Sequence, residues 1–282
     1  MANISFNDAK YKRTVNELGF VALIDGMPVH IKEHGIPGPE QAIIEAARVS
    51  YGGGAPRPVQ ADVNLLKYLY SHEHMTPFEM ITLKFMIKAP IFTARQWMRH
   101  RTGSFNEISG RYSELETEFY TPRDSDIREQ SKVNKQGSGE VLSDEQIKLF
   151  KGKLAIAYDT VAQLYEETLK MGIARETARI ILPVATYTEF YWSVNLRNLL
   201  HFLELRKAKD AQYDIREYAT AIYDILKEYC PYVVEAFDNY NTNSVTLFAN
   251  EIEAMRTGDT SKLTPRELND YNAKVKKING EK

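Results

Sequence analysis

The chain has 282 residues, 43% of them hydrophobic and 26% charged, a composition typical of a globular protein with an ample core. Its 36 Lys and Arg residues against 38 Asp and Glu residues give a formal net charge of −2, which argues against a broad basic surface that recruits nucleic acid. The single cysteine, Cys230, excludes an internal disulfide, and no apolar run approaches the roughly 18 residues of a membrane span. Because residues 1–13 also lack a signal-peptide core, we expect a cytoplasmic protein that binds neither nucleic acid nor membrane.

The first 70 residues predict a hairpin and two helices. Apolar residues 20–24 and 29–31 flank an Asp-Gly turn signal at positions 25–26, which predicts an N-terminal hairpin. A helix is expected over residues 37–50, where two prolines open it, and a second one over residues 61–70. The glycine-rich stretch between them either cradles a phosphate or is a flexible connection. No Gly-Lys-Ser/Thr follows it, so the connection is favoured.

The stretch after the second helix has two histidines and a capping pattern. His72 and His74 are two residues apart, whereas two metal ligands on a helix need a spacing of four, so a metal site is not favoured. Thr76 with Pro77 and Glu79 fits an N-cap, an N1 proline and a capping-box acid. Such a turn offers free backbone N–H groups to a cofactor phosphate or carbonyl; a purely structural cap is the alternative.

The most distinctive segment follows a predicted strand. Residues 81–87 alternate apolar and polar side chains, which predicts a strand with one buried face. Residues 94–112 then carry five basic side chains, with Glu107 as the one acid among them. These side chains are Arg95, Arg99, His100, Arg101 and Arg111. Guanidinium forks beside hydroxyls such as that of Ser109 suit bidentate capture of phosphate and of a planar ring with carbonyl groups.

Two other interpretations of residues 94–112 remain open. One is a solvated basic surface, which usually interleaves acids at i±4. Trp97, Met98, Phe105 and Ile108 argue against it, since they would hold the segment against a core. The other is binding of RNA or of single strands, with aromatic side chains as stacking surfaces. The net charge of −2 and the absence of repeats argue against that interpretation.

The middle of the chain predicts an insertion and a long helix. Residues 124–140 are polar, lack apolar periodicity and predict a mobile insertion. Ser143 and Gln146 form a capping box for a helix that Gly172 ends. Its apolar positions recur at helical spacing and predict a core stripe. That stripe comprises Ile147, Phe150, Leu154, Tyr158, Val161, Tyr165 and Leu169.

An arginine lies on the apolar face of a later helix. Residues 187–194 predict a strand, and Asn195 is expected to cap a helix over residues 196–206. At about 100° per residue, Arg206 falls within the apolar face of that helix. The face comprises Leu199, Phe202 and Leu203. An unpaired buried charge costs several kcal/mol, so Arg206 needs either an internal carboxylate or a ligand as its partner.

The remaining elements complete an α+β fold. Another amphipathic helix is expected over residues 210–228, and residues 241–282 read as a polar, partly helical C-terminal extension. Residues 1–240 are expected to form one elaborated domain. The fold class predicted is α+β, with a central, mostly antiparallel sheet flanked by long helices.

The basic segment resembles a family signature. The pattern Arg99-His100-Arg101, seven intervening residues, Ser109 and then Arg111-Tyr112 is similar to the signature of the flavin-dependent thymidylate synthases. Those enzymes methylate deoxyuridylate with a folate one-carbon donor and a reduced flavin. Residues 47–50, 74–79 and 172–183 also resemble the family, and the resemblance covers roughly residues 19–240.

The resemblance implies roles for particular residues, with no metal among them. For catalysis they are His74, Ser109 and Arg206, the last polarising the uracil ring. For binding of FAD they are Thr76, Arg99, His100, Arg101, Glu107, Asn195, Arg197 and His201. For binding of dUMP they are Gln96, Arg99, Glu107, Ser109, Gly110, Arg111, Arg179 and Arg206. It also implies NADPH as reductant, 5,10-methylenetetrahydrofolate as co-substrate and a homotetramer with shared active sites.

The nucleophile is the point at which the sequence constrains the chemistry most. Attack of a thiolate on uracil needs an activated cysteine, and Cys230 is expected at a helix C-terminus, where the dipole opposes a thiolate. Ser109 has no histidine base adjoining it in sequence, so a hydrogen-bonding role is favoured. We therefore expect a route without a protein nucleophile. Another flavoenzyme, or a phosphohydrolase acting on nucleotides, is the competing class of enzyme.

Overall fold

A computed structural model describes residues 11–27, 35–50, 52, 57–132, 137–208 and 210–280. The strands are β1 (Lys12–Val15), β2 (Gly19–Met27), β3 (Thr82–Pro90), β4 (Ser104–Glu107), β5 (Arg128–Gln130), β6 (Ser138–Val141) and β7 (Tyr187–Asn195). The α-helices are α1 (Gly38–Val49), α2 (Val59–Ser71), α3 (Ile91–Trp97), α4 (Asp144–Lys170), α5 (Arg175–Ala178), α6 (Leu196–Arg206), α7 (Tyr213–Tyr229), α8 (Pro231–Phe237), α9 (Ala249–Thr257) and α10 (Pro265–Ile278). Shorter helical turns are Thr76–Met80, Asp124–Asp126, Arg179–Ile181 and the π-turn Asp238–Thr242.

One antiparallel sheet organises the fold. Its strand order is β1-β2-β3-β7-β4, and every neighbouring pair is antiparallel. The two central strands, β3 and β7, pair along their whole length, with Phe85 opposite Trp192. Strand β4, which belongs to the basic segment, is an edge strand that pairs only with β7. The predicted α+β fold with a central antiparallel sheet and flanking helices is confirmed.

The N-terminal hairpin differs from the predicted one. It joins β1 to β2 through a turn at Asn16, whose φ of 56° lies in the left-handed region. Asp25 and Gly26, expected to form the turn, lie inside β2 where its register against β3 shifts after Leu23. The Asp-Gly pair therefore accommodates a bulge. The expected second strand at residues 29–31 lies outside the described residues.

Aromatic packing holds α3, α6 and α7 on one face of the sheet. Trp97, the last residue of α3, is fully buried. Its ring stacks on Phe202 of α6 at 5.0 Å and meets Trp192 of β7 edge-on at 5.4 Å. It also lies 5.8 Å from the ring of Tyr218 in α7. Because these rings come from three helices and the sheet, they fix the end of α3, from which the basic segment departs.

The long helix α4 is less buried than predicted. Ser143 and Gln146 form the expected capping box. Of the predicted apolar stripe, only Ile147 and Tyr165 are buried, and Phe150 is exposed. A second apolar row on the helix is exposed as well. It comprises Leu149, Ile156 and Leu164, with exposed fractions of 61%, 68% and 46%.

Two regions lie outside the main sheet. The segment predicted as an insertion without regular structure contains the short hairpin of β5 and β6. The chain divides into two compact units, residues 1–234 and residues 235–282. In this C-terminal unit, Glu251 of α9 is buried and accepts hydrogen bonds from Lys274 of α10 at 2.7 Å. Among the described helices, none has the length and apolar content needed to cross a bilayer.

Candidate active site

Arg206, at the end of α6, is held by neutral partners. The apolar face of α6 is fully buried at Leu199, Phe202 and Leu203, as predicted. The half-buried Arg206 donates from Nε to Nε2 of His100 at 2.8 Å and from Nη2 to the carbonyl oxygen of Gln96 at 3.5 Å. Of the two alternatives for its partner, an internal carboxylate or a ligand, no carboxylate among the described residues pairs with Arg206. Its positive charge remains available to a ligand.

His100 is adapted to this neutral role. Burial, followed by the charge of Arg206 and the proximity of His201, lowers the pKa of His100 to about 4. The ring is therefore neutral at physiological pH, with Nε2 as acceptor and the proton on Nδ1. It also packs edge-on against Phe202 at 4.9 Å. The middle residue of the Arg-His-Arg motif thus fixes the position of Arg206.

Glu107 is tied to the buried face of the sheet. It ends β4 opposite Phe190 of β7. The hydroxyl of Thr188, which is 5% exposed, donates to Oε1 of Glu107 at 2.7 Å. One hydrogen bond from a buried donor orients the carboxylate and leaves its other oxygen for a ligand. The next residue, Ile108, donates its N–H to the carbonyl of Glu189 but exposes its side chain, contrary to the prediction that it faces the core.

The chain turns tightly after Ile108. The backbone N–H groups of Tyr112 and Ser113 donate to the carbonyl of Ser109 at 3.0 and 3.1 Å. The hydroxyl of Ser109 accepts a longer bond, 3.3 Å, from the N–H of Arg111. No histidine or carboxylate within the described residues hydrogen-bonds this hydroxyl. Ser109 therefore lacks the adjacent base that a nucleophilic serine needs.

Gly110 brings the turn against Arg179. A Cβ added at Gly110 would lie 2.9 Å from Cδ1 of Leu115 and 3.2 Å from Cδ of Arg179. Arg111, in contrast, is paired with Glu176 at 3.4 Å. The predicted dUMP residues Ser109, Gly110, Arg111 and Arg179 are thus gathered around one turn and the α5 region.

The turn at Thr76–Met80 reaches α6 through an ion pair. It is a 3₁₀ turn capped by Met75 without a side-chain hydrogen bond, so the predicted capping box at Thr76 is wrong. Glu79 instead pairs with Arg197 of α6 at 2.5 Å. Glu79 thus bonds a charged side chain 118 residues away in sequence instead of capping its own turn. His74, exposed just before the turn, packs edge-on to Tyr68 at 5.9 Å.

Asn195 and His201 occupy the remaining predicted cofactor positions on α6. The side-chain oxygen of Asn195 accepts from the N–H of Asn198 at 3.0 Å, so the predicted cap is confirmed. His201 is exposed and lies 3.4 Å from Glu204. Asn195 and Arg197 lie at the start of α6, whereas His201 lies in the middle of the helix, close enough to His100 to affect its pKa.

Several arginines have no partner among the described residues. They are exposed, and no ion pair or hydrogen bond of their guanidinium groups is found within the described ranges. These are Arg95, Arg99, Arg101 and Arg179. Exposed guanidinium groups without carboxylate partners suit phosphate groups. Among the described residues, no group of three or more His, Cys, Asp or Glu side chains could hold a metal ion.

The structure brings only some of the predicted residues into contact. Arg206 contacts both Gln96 and His100, and Gly110 lies beside Arg179. Among the described residues, no hydrogen bond or ion pair joins Arg206 to Ser109 or to Arg111. Sequence reasoning missed Thr188, Glu79, Glu176 and Gln212 as partners of site residues. The sequence did contain an indication of the role of Thr188, because strand alternation places it on the same buried face as Phe190.

Cys230 is isolated from this region and is unsuited to attack. It is fully buried at the end of α7. Burial, and then the nearby Glu40, raise the pKa of the thiol well above its ordinary value. The thiolate is therefore disfavoured.

Comparison with known proteins identifies the class first. Residues 31–232 match the family model described as thymidylate synthase complementing protein. Flavin-dependent thymidylate synthases of Thermus thermophilus and Treponema denticola are 47% and 42% identical over 243 and 274 residues. These alignments cover 86% and 95% of this chain and 84% and 98% of the relatives. The chain is an enzyme and belongs to the flavin-dependent thymidylate synthase family.

A solved structure agrees with this assignment. The UMP/dUMP methylase PolB from Streptomyces cacaoi, bound with 5-Br dUMP, has a TM-score of 0.70 and 31% sequence identity. The similarity covers 81% of this chain and 98% of that chain. The fold around the site is therefore shared with a nucleotide methylase.

Proposed function

We propose that the protein converts dUMP to dTMP, with 5,10-methylenetetrahydrofolate as carbon donor, reduced FAD as hydride donor and NADPH as the reductant of the flavin. In this reaction the methylene carbon would leave folate and bond to uracil C5, C5 would lose its proton, and a hydride would complete the methyl group, giving tetrahydrofolate and an oxidised flavin for NADPH to reduce. The observation that carries the proposal is Arg206, a half-buried cation held by His100 and the carbonyl of Gln96 rather than by an acid. The family, and the dUMP analogue bound to PolB, support the choice of substrate.

The residues present fit an anionic cofactor and an anionic substrate. Exposed guanidinium groups at Arg99, Arg101 and Arg179 match phosphate groups, whereas Arg197 of α6 is paired with Glu79. When bound, reduced FAD supplies the hydride. The protein's part is to hold the phosphates and to align the rings.

Arg206 is proposed to activate the uracil. A guanidinium group can only donate hydrogen bonds, and the acceptor on the N3–O2 edge of the ring is the O2 carbonyl. The charge of Arg206 stabilises the negative charge that develops there as C5 becomes nucleophilic. The neutral His100 engages Nε of Arg206 and the carbonyl of Gln96 engages Nη2, which leaves the N–H groups of Nη1 to face the ligand.

The proposal needs no protein nucleophile. Cys230 is buried with a raised pKa. Ser109 has no base beside it among the described residues and is proposed to hydrogen-bond the nucleotide. Residues His74, Thr76, Asn195 and His201 are proposed to lie near the flavin and folate, as the family resemblance implies.

A direct assay tests the proposed function. The purified protein, supplied with FAD, NADPH and methylenetetrahydrofolate without oxygen, should convert dUMP to dTMP, measured by separation of the nucleotides. The protein should also show flavin absorbance that shifts when dUMP is added. Flavin-loaded protein that leaves dUMP unchanged would refute the proposal, and metal-dependent phosphate release would favour a phosphohydrolase.

We further propose a homotetramer with active sites shared between chains. The exposed apolar row Leu149, Ile156 and Leu164 runs along the 27-residue helix α4 with spacings of seven and eight residues, as at helix–helix interfaces. The exposed arginines near Arg99 also lack protein partners among the described residues. Symmetric association would let them complete the site of another chain.

Complementation tests the sharing of sites. Arg99→Ala and Arg206→Ala proteins, each with lowered activity at limiting dUMP, are mixed and allowed to exchange subunits. Sites that draw Arg99 from one parent and Arg206 from the other would be intact, so activity should rise. Confirmed exchange without a rise in activity would show that both arginines serve one chain's site.

A further inference from the structure

A chain of hydrogen bonds runs from the start of α7 to the active site. Asp214, in the first turn of α7, is buried. Its Oδ2 accepts from Nε2 of Gln212 at 2.9 Å. The Oε1 of Gln212 in turn accepts from Nε2 of Gln96. The backbone carbonyl of Gln96 contacts Arg206, so the chain ends beside the residue proposed to activate uracil.

The acid at one end fixes the direction of every bond in this chain. A carboxylate can only accept hydrogen bonds, so Gln212 must turn its NH₂ group to Asp214 and its carbonyl oxygen away. That oxygen can only accept, so Gln96 must turn its own NH₂ group to Gln212. The orientation of both amides follows from the carboxylate. The group left over on Gln96 is its Oε1, an acceptor.

Asp214 is well placed to act as this fixed acceptor. Burial, and then a hydrogen bond to Asp214, raise the pKa of Tyr120, so the Tyr120 hydroxyl keeps its proton for the carboxylate. No ion pair of Asp214 is found in the described part of the chain, and its Oδ1 has no hydrogen-bond partner there. A buried acid without a cation costs stability, which a purely structural role does not explain.

We propose that Asp214 and Gln212 are positioning residues that make Gln96 present a hydrogen-bond acceptor to the nucleotide. The proposal rests on the proposed function, in which dUMP is the ligand. That nucleotide carries two donors, the ring N3–H and the 3′-hydroxyl, and either can meet Oε1 of Gln96. A site with a fixed acceptor selects a ligand that offers a donor at the same place, because a mismatched pair leaves both groups unsatisfied.

Substitutions at Gln212 test the direction of the chain. Gln212 is exposed, so its variants should fold. In Gln212→Lys the ammonium group donates both to Asp214 and to Oε1 of Gln96, so the Gln96 amide turns round and presents its NH₂ group. In Gln212→Met the Gln96 amide is free to rotate. We expect the Kd for dUMP to rise roughly tenfold in Gln212→Lys and roughly threefold in Gln212→Met.

The kinetic signature separates positioning from a structural role. The KM for dUMP should rise in both variants while kcat at saturating dUMP stays within about twofold, because Arg206 keeps its own partners. Gln96→Met removes the amide whose orientation Gln212 controls. In that background, Gln212→Lys should therefore raise the KM for dUMP little further. The matched control Gln60→Lys places the same charge change on an exposed glutamine of α2 and should leave dUMP binding unchanged.

Three outcomes would overturn the inference while the wild-type enzyme converts dUMP. The first is a Kd for dUMP in Gln212→Lys equal to that of the wild type. The second is a larger loss of dUMP affinity in Gln212→Met than in Gln212→Lys. The third is that the effects of Gln212→Lys and Gln96→Met on dUMP affinity are fully additive. A fall in melting temperature and flavin content that parallels the loss of dUMP binding would also overturn it, as a structural effect. Failure of the wild-type enzyme to convert dUMP would instead refute the proposed function.

Discussion

The two arginine groups of the site differ in how much of their surroundings the chain itself supplies. Arg206 is half-buried, packed at the end of α6 and hydrogen-bonded to His100 and Gln96. Arg99 and Arg101 are exposed and have no ion pair among the described residues. The first group is organised before any ligand arrives; the second is organised only by what binds to it.

This difference corresponds to two kinds of chemical task. Stabilising charge on a reacting ring requires a cation in a fixed position, because reorganisation during the reaction would add to the barrier. Holding a phosphate requires only attraction, which flexible surface arginines supply. The partner of Arg206 is accordingly a neutral ring, which fixes the guanidinium group without neutralising it.

The largest effect is expected from removal of Arg206. A hydrogen bond to a charged group contributes about 1.5–3 kcal/mol, so Arg206→Ala should lower kcat/KM for dUMP roughly tenfold to a hundredfold. Its melting temperature should change little, because its partners are neutral. Kinetics and thermal unfolding are measured together, with Arg57→Ala, at an exposed arginine, as the control. Lost stability with normal dUMP binding would show that Arg206 is structural.

A smaller effect is expected at Arg99. Because its guanidinium group is exposed and solvent weakens such contacts, Arg99→Ala should weaken flavin or dUMP binding by roughly tenfold, at the lower end of the range for Arg206. Raising the salt concentration should reduce wild-type affinity but affect the variant less. Equilibrium binding at two salt concentrations measures this. Equal salt dependence in both proteins would mean that Arg99 does not bind an anion.

His100 should make stability depend on pH in the acid range. Its pKa is about 4 in the folded protein and about 6.5 in an unfolded chain, so between these values the unfolded state binds the extra proton. Stability is therefore lost as the pH falls through this window. Melting temperatures measured from pH 7 to pH 4 should fall more steeply for the wild type than for His100→Asn. Parallel curves would show that His100 does not contribute.

The smallest effect is expected at Cys230, which contacts neither arginine group. Cys230→Ala should keep turnover within about twofold of the wild type, although a small cavity should lower the melting temperature by a few degrees. Turnover and melting temperature are measured on the same sample. Loss of turnover in a stable variant would show that the thiol takes part in the reaction.

Local patterns predicted the parts of the site that depend on neighbouring residues. The Asn195 cap and the place of Arg206 on the buried face of α6 both follow from a spacing of a few residues. The strands β3 and β7 follow from alternation. The motif of residues 94–112 identified the family, because its length and mixed chemistry are specific.

Contacts between distant segments could not be predicted in this way. Glu79 has the spacing of a capping-box acid, but it pairs with Arg197, which is 118 residues away in sequence. The identity of His100 as the partner of Arg206 needed the packing of α3 against α6. The apolar stripe of α4 has helical spacing whether its partner is this chain's core or another chain, so periodicity could not tell the two apart.

Because Cys230 is fully buried, the reactivity of the chain's one thiol can report local unfolding at the end of α7. Thiol-directed reagents should leave the native protein unlabelled, because the sulfur is fully buried and its proton is held by a raised pKa. Labelling then requires the end of α7 to separate from the sheet. Its rate, followed by mass spectrometry, would measure how often this part of the protein unfolds, without any engineered probe.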